Sequence, residues 1–385
     1  GTAVTISESG IEATGVGITV ANINGGKIGG RRNIIINGAM NICQRNVSTN
    51  TSGDFAADRL NVFHNGTDEA PTFAQADVSS GTTPYTLGFR KCLKVTNGDQ
   101  TSNAGAADYV WLQYKIEAQD IANSGWNYTS SSSFITLSFW VKSSVEQDFK
   151  GWIQTYDGTG QSYPYATGSL TADTWTKVTK TIPGNSNLQF DNNSDTGLQI
   201  HFLPFFGTDY TASSATEDAW QAYSSSARCK DSTATWYETN DATWEITGIQ
   251  LEVGPQATAF EHRSFGEELE LCSRYYRRYT NTQNANTYFS QGNVDNNGND
   301  CQMMIFFDRP FRTQISSLET SGSAGDYAVR RDTTKTLDSV PVMYAATDYS
   351  CFLKFQSNSH GWSTGQAVLG IFKNSNAFLG FSAEL

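Results

Sequence analysis

The chain has 385 residues, with 26 Lys and Arg against 38 Asp and Glu, and a formal net charge of −12. That balance argues against nucleic acid as a partner, because phosphate binding needs a cationic stripe, and no apolar run reaches the roughly 18 residues of a membrane-inserting helix. Aromatic residues make up 12% of the chain and charged residues only 17%, a composition typical of short strands joined by many turns.

Residues 1–31 are rich in glycine and carry isolated apolar residues such as Ile6, Ile11 and Ile23. These are too few to form a core within one chain, so the segment is stable only when it packs against something else. We expect an amino-terminal stem or attachment segment that packs between copies of the chain. A frayed terminus is the alternative interpretation.

The pattern of residues 32–262 predicts strands and turns almost throughout. Between residues 110 and 117, apolar side chains alternate with a second face that carries Trp111 and Gln113, which is the period of two of a half-buried strand. Further strands are predicted at 91–95, 134–144, 151–156, 175–182, 197–206 and 244–253. Many short strands at regular spacing predict an all-β fold, a β-sandwich or jelly roll.

Residues 263–279 break this pattern and predict one connecting α-helix. Ser264 and Glu267 have the spacing of a capping box, and acidic residues precede basic ones along the segment, which suits the helix dipole. Leu269, Cys272 and Tyr276 continue as one apolar stripe at helical spacing. The helix is therefore expected to extend to residue 279.

Residues 280–385 return to the strand pattern and predict a smaller C-terminal β-domain. Strands are expected at 302–308, 326–331, 340–347, 350–356 and 367–372. A segment of this length suffices for an independent small sandwich. It equally suits a subdomain that needs neighbouring copies to bury its faces.

Signatures of catalysis, of metal binding and of cofactor binding are missing from the sequence, which favours a non-enzymatic protein without cofactors. No zinc, P-loop or dinucleotide pattern occurs, and His201 and His262 are expected to be packed or hydrogen-bonded. Two Asn- and Asp-rich loops, 191–197 and 295–300, fail the EF-hand pattern and are interpreted as solvated turns. The six cysteines are expected to be buried free thiols: Cys43, Cys92, Cys229, Cys272, Cys301 and Cys351.

Polar aromatic residues provide the strongest hint of a ligand. Sugar rings present apolar C–H faces and a hydroxyl rim, which aromatic platforms beside amide and carboxylate groups can match without charge. The aromatic residues that lie near loops rich in Asn, Gln, Thr and Asp are the candidate glycan contacts: Trp152, Tyr156, Tyr163, Tyr165 and Trp220. The alternative is that these side chains fill the core of the sandwich.

Three groups of segments together resemble a known family. RRNIIINGAMNICQRN (31–46) with FAADRLNVF (55–63) resembles the opening of many tailed-phage fibre proteins. FITLSFWVKSS (134–144) and TADTWTKVTKTIPG (171–184) resemble the carbohydrate-binding-module-like jelly roll of those proteins. EITGIQLEVGPQATAFEHRSFGEELELCSRYY (245–276) resembles the junction that follows it, although QATAF here lacks the Pro that is common before Phe. The chain is thus similar to tail fibre or receptor-binding proteins of marine podoviruses.

This resemblance implies a homotrimeric virion appendage, assembled in the host cytoplasm, that recognises host-surface glycan. Its amino-terminal segment would bind other tail or capsid proteins, and the helices of three chains would meet through Leu269, Cys272 and Tyr276. The resemblance supplies no residue-level sugar site. Two alternatives remain open: a capsid or neck fibre without receptor contact, and a polysaccharide-degrading tail spike.

Overall fold

A computed structural model describes residues 5–7, 10–12, 31–45, 47–282, 286–296, 300–358 and 360–385. The predicted stem, 1–31, lies outside these residues except for Arg31 and the backbone of two short paired strands, β1 (Thr5–Ser7) and β2 (Gly10–Glu12). The described chain is dominated by antiparallel sheets, so the all-β prediction is confirmed. None of its helices is long and apolar enough to span a bilayer.

The first unit is a sandwich of two antiparallel sheets, which confirms the predicted jelly roll. Its strands are β3 (Ser48–Thr49), β4 (Phe55–Ala57), β5 (Leu60–Asn65), β6 (Thr72–Asp77), β7 (Lys91–Thr96), β8 (Tyr109–Glu117), β9 (Phe134–Ser143), β10 (Gln147–Thr155), β11 (Gln161–Leu170), β12 (Thr176–Pro183), β13 (Thr196–Phe206), β14 (Gln221–Ala222) and β15 (Thr243–Val253). The larger sheet has the order β14-β11-β10-β13-β8-β5-β4, and the smaller has the order β12-β9-β15-β7-β6-β3. Two short helices, α1 (Thr83–Thr86) and α2 (Ala118–Ala122), lie in the connections.

The core of this sandwich is built from the inward positions of both sheets. On β8 the inward side chains include Val110, Leu112 and Tyr114, as the alternation predicts, and they meet residues such as Leu137 and Phe139 of β9. The side chains at the alternate positions of the same strands therefore lie on the opposite, outward side of the larger sheet. That outward side holds the candidate functional site.

The connecting helix is shorter than predicted. The helix α3 spans Phe265–Cys272, and its capping box is present: Ser264 Oγ accepts from Glu267 N, and the Glu267 carboxylate accepts from Ser264 N. The predicted continuation to residue 279 is wrong, because Tyr276–Thr280 forms a strand, β16. This strand pairs with the segment Phe378–Ser382, a partner that helical spacing within 264–279 cannot reveal.

The second unit is a smaller sandwich with a core of its own. Besides β16 its strands are β17 (Thr287–Val294), β18 (Asp300–Phe306), β19 (Ser317–Thr320), β20 (Tyr327–Arg330), β21 (Thr334–Thr336), β22 (Val342–Ala346), β23 (Ser350–Gln356), β24 (Ala367–Phe372) and β25 (Phe378–Ser382), with a 3-10 turn at Ala324–Asp326. A sheet of order β16-β25-β19 packs against one side of a sheet of order β21-β20-β24-β17-β18-β23-β22. Buried side chains such as Met303, Leu353 and Phe381 join the two sheets.

Residues 32–44, here called the strap, connect the first sandwich to α3. The backbone N–H groups of Arg32 and Asn33 each donate to the Glu261 carboxylate at 2.9 Å. Further along, Asn37 N donates to Glu268 Oε1 of α3 at 2.6 Å. Apolar strap residues also pack against the helix. The strap satisfies several of its backbone donors with carboxylates, whereas Ile34 N donates to the Leu251 oxygen of β15 and Ile36 N donates to Tyr114 OH.

Buried ion pairs join the second sandwich to the first. Glu384, just after β25, accepts from both Arg45 and Arg59, and all three side chains are at least nine-tenths buried. Arg274 donates to both oxygens of Glu117 at 2.8 Å, and Tyr275 OH donates to the same carboxylate at 2.6 Å. The two sandwiches are therefore held together by charge-assisted hydrogen bonds.

Candidate functional site

The outward side of the larger sheet carries a surface of amide side chains flanked by aromatic rings. Strand register places Trp152, His201 and Gln113 side by side on β10, β13 and β8. The neighbouring row contains Gln154 and Gln199. We call the surface formed by Gln113, Gln154 and Gln199, together with the flanking Trp111 and Tyr156, the amide face.

Hydrogen bonds within the amide face converge on one oxygen. Gln199 Oε1 accepts from Gln113 Nε2 at 2.5 Å and from Tyr156 OH at 2.9 Å, and it lies 3.1 Å from His201 Nε2. The Nε2 groups of Gln199 and Gln154 donate to no other described residue. The network therefore fixes the orientation of the amides, whose residues are only 4–7% exposed.

Aromatic rings support the amides from one side. Trp152 and His201 are stacked with their ring centroids 3.7 Å apart, and Trp111 lies 5.0 Å from His201 and 4.6 Å from Phe63. The guanidinium of Arg228, from the loop after β14, lies 5.7 Å from the Trp152 ring centroid and covers this end of the face. Trp111 and Phe63 remain partly exposed, so they offer apolar ring surface beside the amides.

The five side chains that define the amide face carry no charge, and two cations, Arg228 and Lys115, lie beside it. Burial lowers the pKa of His201 well below its usual value, and the contact with the Trp152 carbonyl only partly offsets this effect. The nearest lysine on β8, Lys115, donates to the backbone oxygen of Leu385 at 2.6 Å. The face thus provides amide and hydroxyl groups for hydrogen bonding without a net charge.

The five candidate glycan contacts differ in how far the structure exposes them. Only Tyr156, which is 47% exposed, offers a free aromatic surface. Trp152 belongs to the same side of the sheet but is buried, and Tyr163 and Tyr165 lie inside the sandwich core, so these three are corrected to packing residues. Trp220 is half-buried against Tyr163, and its Nε1 donates to the Pro183 oxygen at 2.7 Å.

The three candidate trimer contacts are also covered largely by their own chain. Cys272 and Tyr276 have almost no accessible surface, and Leu269 packs partly buried against the cluster that contains Ile36. Tyr276 OH donates to Glu319 at 2.8 Å. The prediction is corrected for Cys272 and Tyr276, because neither retains surface for a sister chain.

The remaining sequence expectations concern histidines, thiols and metal loops. His201 is packed and hydrogen-bonded as expected, and His262 Nε2 lies 2.8 Å from the Leu87 oxygen. No disulfide joins the six cysteines in the described part of the chain; five are buried and Cys43 is half-buried. Within the described ranges, no group of three or more His, Cys, Asp or Glu residues could hold a metal ion, and the loop 295–300 lies partly outside those ranges.

Sequence reasoning missed the amides themselves. Gln113, Gln154 and Gln199 were not singled out, because a glutamine on a strand is ordinary and the register that aligns three strands is not visible locally. The usable signal was the alternation at 110–117, which places Trp111 and Gln113 on the side opposite the core.

No family model matches the chain, and no curated protein does. Among solved structures, the enzymatically active domain of tailspike protein 4 from bacteriophage CBA120 matches with 11% identity and a TM-score of 0.31, over 57% of this chain and 21% of that chain. The N-terminal cellulose-binding domain of Cellulomonas fimi beta-1,4-glucanase C matches with 14% identity and a TM-score of 0.25, over 51% of this chain and 88% of that one.

A third match is the family 11 carbohydrate-binding module from Clostridium thermocellum, solved with a mixed-linked tetrasaccharide. Its identity is 14% and its TM-score 0.24, over 56% of this chain and 98% of that chain. The chain therefore spans about a fifth of the tailspike structure and nearly all of this module. Likeness of this degree assigns this chain neither a family nor a ligand.

Proposed function

We propose that this chain is a non-catalytic structural protein of a tailed-phage virion, a trimeric tail fibre that attaches to host-surface glycan. The phage assignment and the trimer rest on the resemblance of residues 31–63 and 245–276 to fibre proteins. Glycan attachment rests on the amide face.

The amide face suits a neutral sugar for three reasons. Amides can donate to one sugar hydroxyl and accept from the next, and the Nε2 groups of Gln154 and Gln199 have no acceptor among the described residues, although these residues are only 7% and 4% exposed. Tyr156 and Trp111 add ring surface for the apolar side of a pyranose. Binding through the five side chains of the face would depend little on salt, because none of them forms an ion pair, and any salt dependence would report Arg228 beside Trp152.

A capsid or neck fibre without receptor contact would lack glycan binding altogether, and a tail spike would shorten its polysaccharide. The second alternative is tested by incubating the protein with host polysaccharide and measuring product length. Unchanged length supports the non-catalytic proposal, whereas shortened products would contradict it.

The proposal is tested by calorimetric titration of a panel of neutral oligosaccharides into wild-type protein, Tyr156→Ala and Gln199→Ala. We expect millimolar to micromolar binding by wild type and at least a tenfold loss in each variant, since each removes hydrogen bonds or ring contact worth about 1.5 kcal/mol. Leu87→Ala is the matched control, because Leu87 is similarly exposed but follows α1, away from this face.

Folding must be measured beside binding. Tyr156→Ala should leave the melting temperature nearly unchanged, whereas Trp152→Ala should cost about 3–5 kcal/mol, as buried aromatic truncations do. If wild type binds no sugar, or if the Tyr156 and Gln199 variants bind as tightly as Leu87→Ala, the amide face is not the glycan site.

A further inference from the structure

Among the described residues, the seven-stranded sheet of the second sandwich is covered on one side only. Its inward side chains, such as Cys301, Met303 and Ile305 of β18, are buried against the three-stranded sheet. Along the same strand, Met304 and Phe306 point to the opposite side and are exposed. Alternation on a strand normally puts polar residues on an outward side, so these positions are unusual for a solvated face.

Exposed apolar side chains continue across the sheet. Strand register pairs Met304 on β18 with Phe352 on β23, and Phe352 packs edge-on against Tyr344 of β22 with ring centroids 5.7 Å apart. Phe306 and Tyr344 are each 74% exposed. We define the apolar face by its exposed members, which are Tyr288, Met304, Phe306, Val342, Tyr344 and Leu369.

The exposed apolar surface of this sheet is at the upper end of what ordinary monomers show. At their observed exposures these six side chains leave on the order of 600 Å² accessible per chain, and Gln291, Asn293 and Lys354 lie on the same side of the sheet. The largest patch on a typical monomer is about 300–600 Å². A stable protein–protein interface buries about 800 Å² on each partner, so the face approaches interface size.

Charge and strand order favour another copy of the chain as the occupant. Of the cations at this face, Lys354 is paired with Asp300, whereas Arg330 keeps its charge and donates to Tyr288 OH. Identical faces with few free charges can meet without repulsion, even though each chain carries a net charge of −12. In addition, β22 is an edge strand that exposes Val342 and Tyr344, and such an edge is a template for association.

We propose that copies of this chain associate through the apolar face, with the seven-stranded sheets of three chains facing a common axis. The inference rests on the trimer in the proposed function and assigns its contact surface. As contacts between chains, the proposal substitutes the exposed side chains of the apolar face for Cys272 and Tyr276, which are buried within their own chain. It also selects one of the two expectations for residues 280–385, a unit that needs neighbouring copies to cover its faces.

The test is the mass of the full chain by sedimentation equilibrium at micromolar concentration. Wild type should give three times 42.1 kDa, and the double variant Phe306→Glu/Tyr344→Glu should give 42.1 kDa itself. Both side chains are largely exposed within one chain, so the double variant should keep the melting transition of the isolated subunit. Loss of each buried aromatic is expected to weaken association at least about tenfold.

Phe265→Glu is the matched control, because Phe265 is 64% exposed on α3 and lies outside the apolar face. Retained association of this control, with dissociation of the double variant, supports the proposal. If the double variant stays associated, or the control dissociates, the surface is wrong while the trimer stands. Wild type at 42.1 kDa overturns both the surface and the trimer but leaves the glycan proposal to its own titration.

Discussion

Replacing Glu384 by Gln tests how strongly buried charges hold the two sandwiches together. The Glu384 side chain is 8% exposed and pairs with Arg59, whose side chain is 2% exposed, and with Arg45. Leaving one buried charge without its partner costs about 3–5 kcal/mol. Arg59 keeps a hydrogen bond to the Lys115 oxygen at 2.7 Å, and Arg45 keeps Glu319, so we expect the lower end, about 3 kcal/mol.

Thermal and urea denaturation provide the measurement. A loss of about 3 kcal/mol corresponds to a fall in melting temperature of about 6–12 °C for a unit of 150–250 residues. Asp308→Asn is the matched control, because Asp308 is 82% exposed and pairs with Arg277, and an exposed pair contributes at most about 1 kcal/mol. If Glu384→Gln costs no more than Asp308→Asn, the reasoning about buried charge at this junction is refuted.

Two further changes concern the same junction. Burial would raise the pKa of Glu117, but hydrogen bonds from Arg274 and Tyr275 outweigh burial and lower this pKa. The ionised carboxylate therefore stabilises the fold above about pH 4.5, and this contribution is lost as the pH falls through the folded-state pKa. The difference in unfolding free energy between wild type and Glu117→Gln should therefore be constant from about pH 8 to 5 and shrink below about 4.5, and a difference that grows in acid would contradict the sign. Ser264→Ala removes the acceptor for Glu267 N and should cost about 1 kcal/mol of unfolding free energy by urea denaturation, whereas no measurable loss would mean that the cap does not stabilise α3.

Strands were the most predictable part of the fold, because their pattern is local. The alternation at 110–117 identified β8 and its inward side, and the capping box identified the start of α3. The end of the helix was not predictable. Helical spacing continued to Tyr276, but pairing with β25, about a hundred residues further on, made that segment a strand.

The candidate site was predictable only in composition. Aromatic and amide residues suggested sugar, yet nothing local distinguishes Tyr156, which is exposed, from Tyr163 and Tyr165, which fill the core. Trp152 faces outward but is covered by His201 and Arg228, and Arg228 comes from a loop more than seventy residues away. The exposure of Trp152 depends on these distant segments, so it could not be predicted from the sequence of its own strand.

The strap determines how mechanical load enters the molecule. Tension applied at Arg31 from the amino-terminal side first reaches Arg32 and Asn33, whose backbone N–H groups are anchored to Glu261 beside α3. The next strands along the chain, β3 and β4, lie at the edges of their sheets, where a direct pull would peel hydrogen bonds away one after another. Because the strap is anchored before them, the force first reaches Glu261, then β15 through the bond from Ile34 N to the Leu251 oxygen and β8 through the bond from Ile36 N to Tyr114 OH.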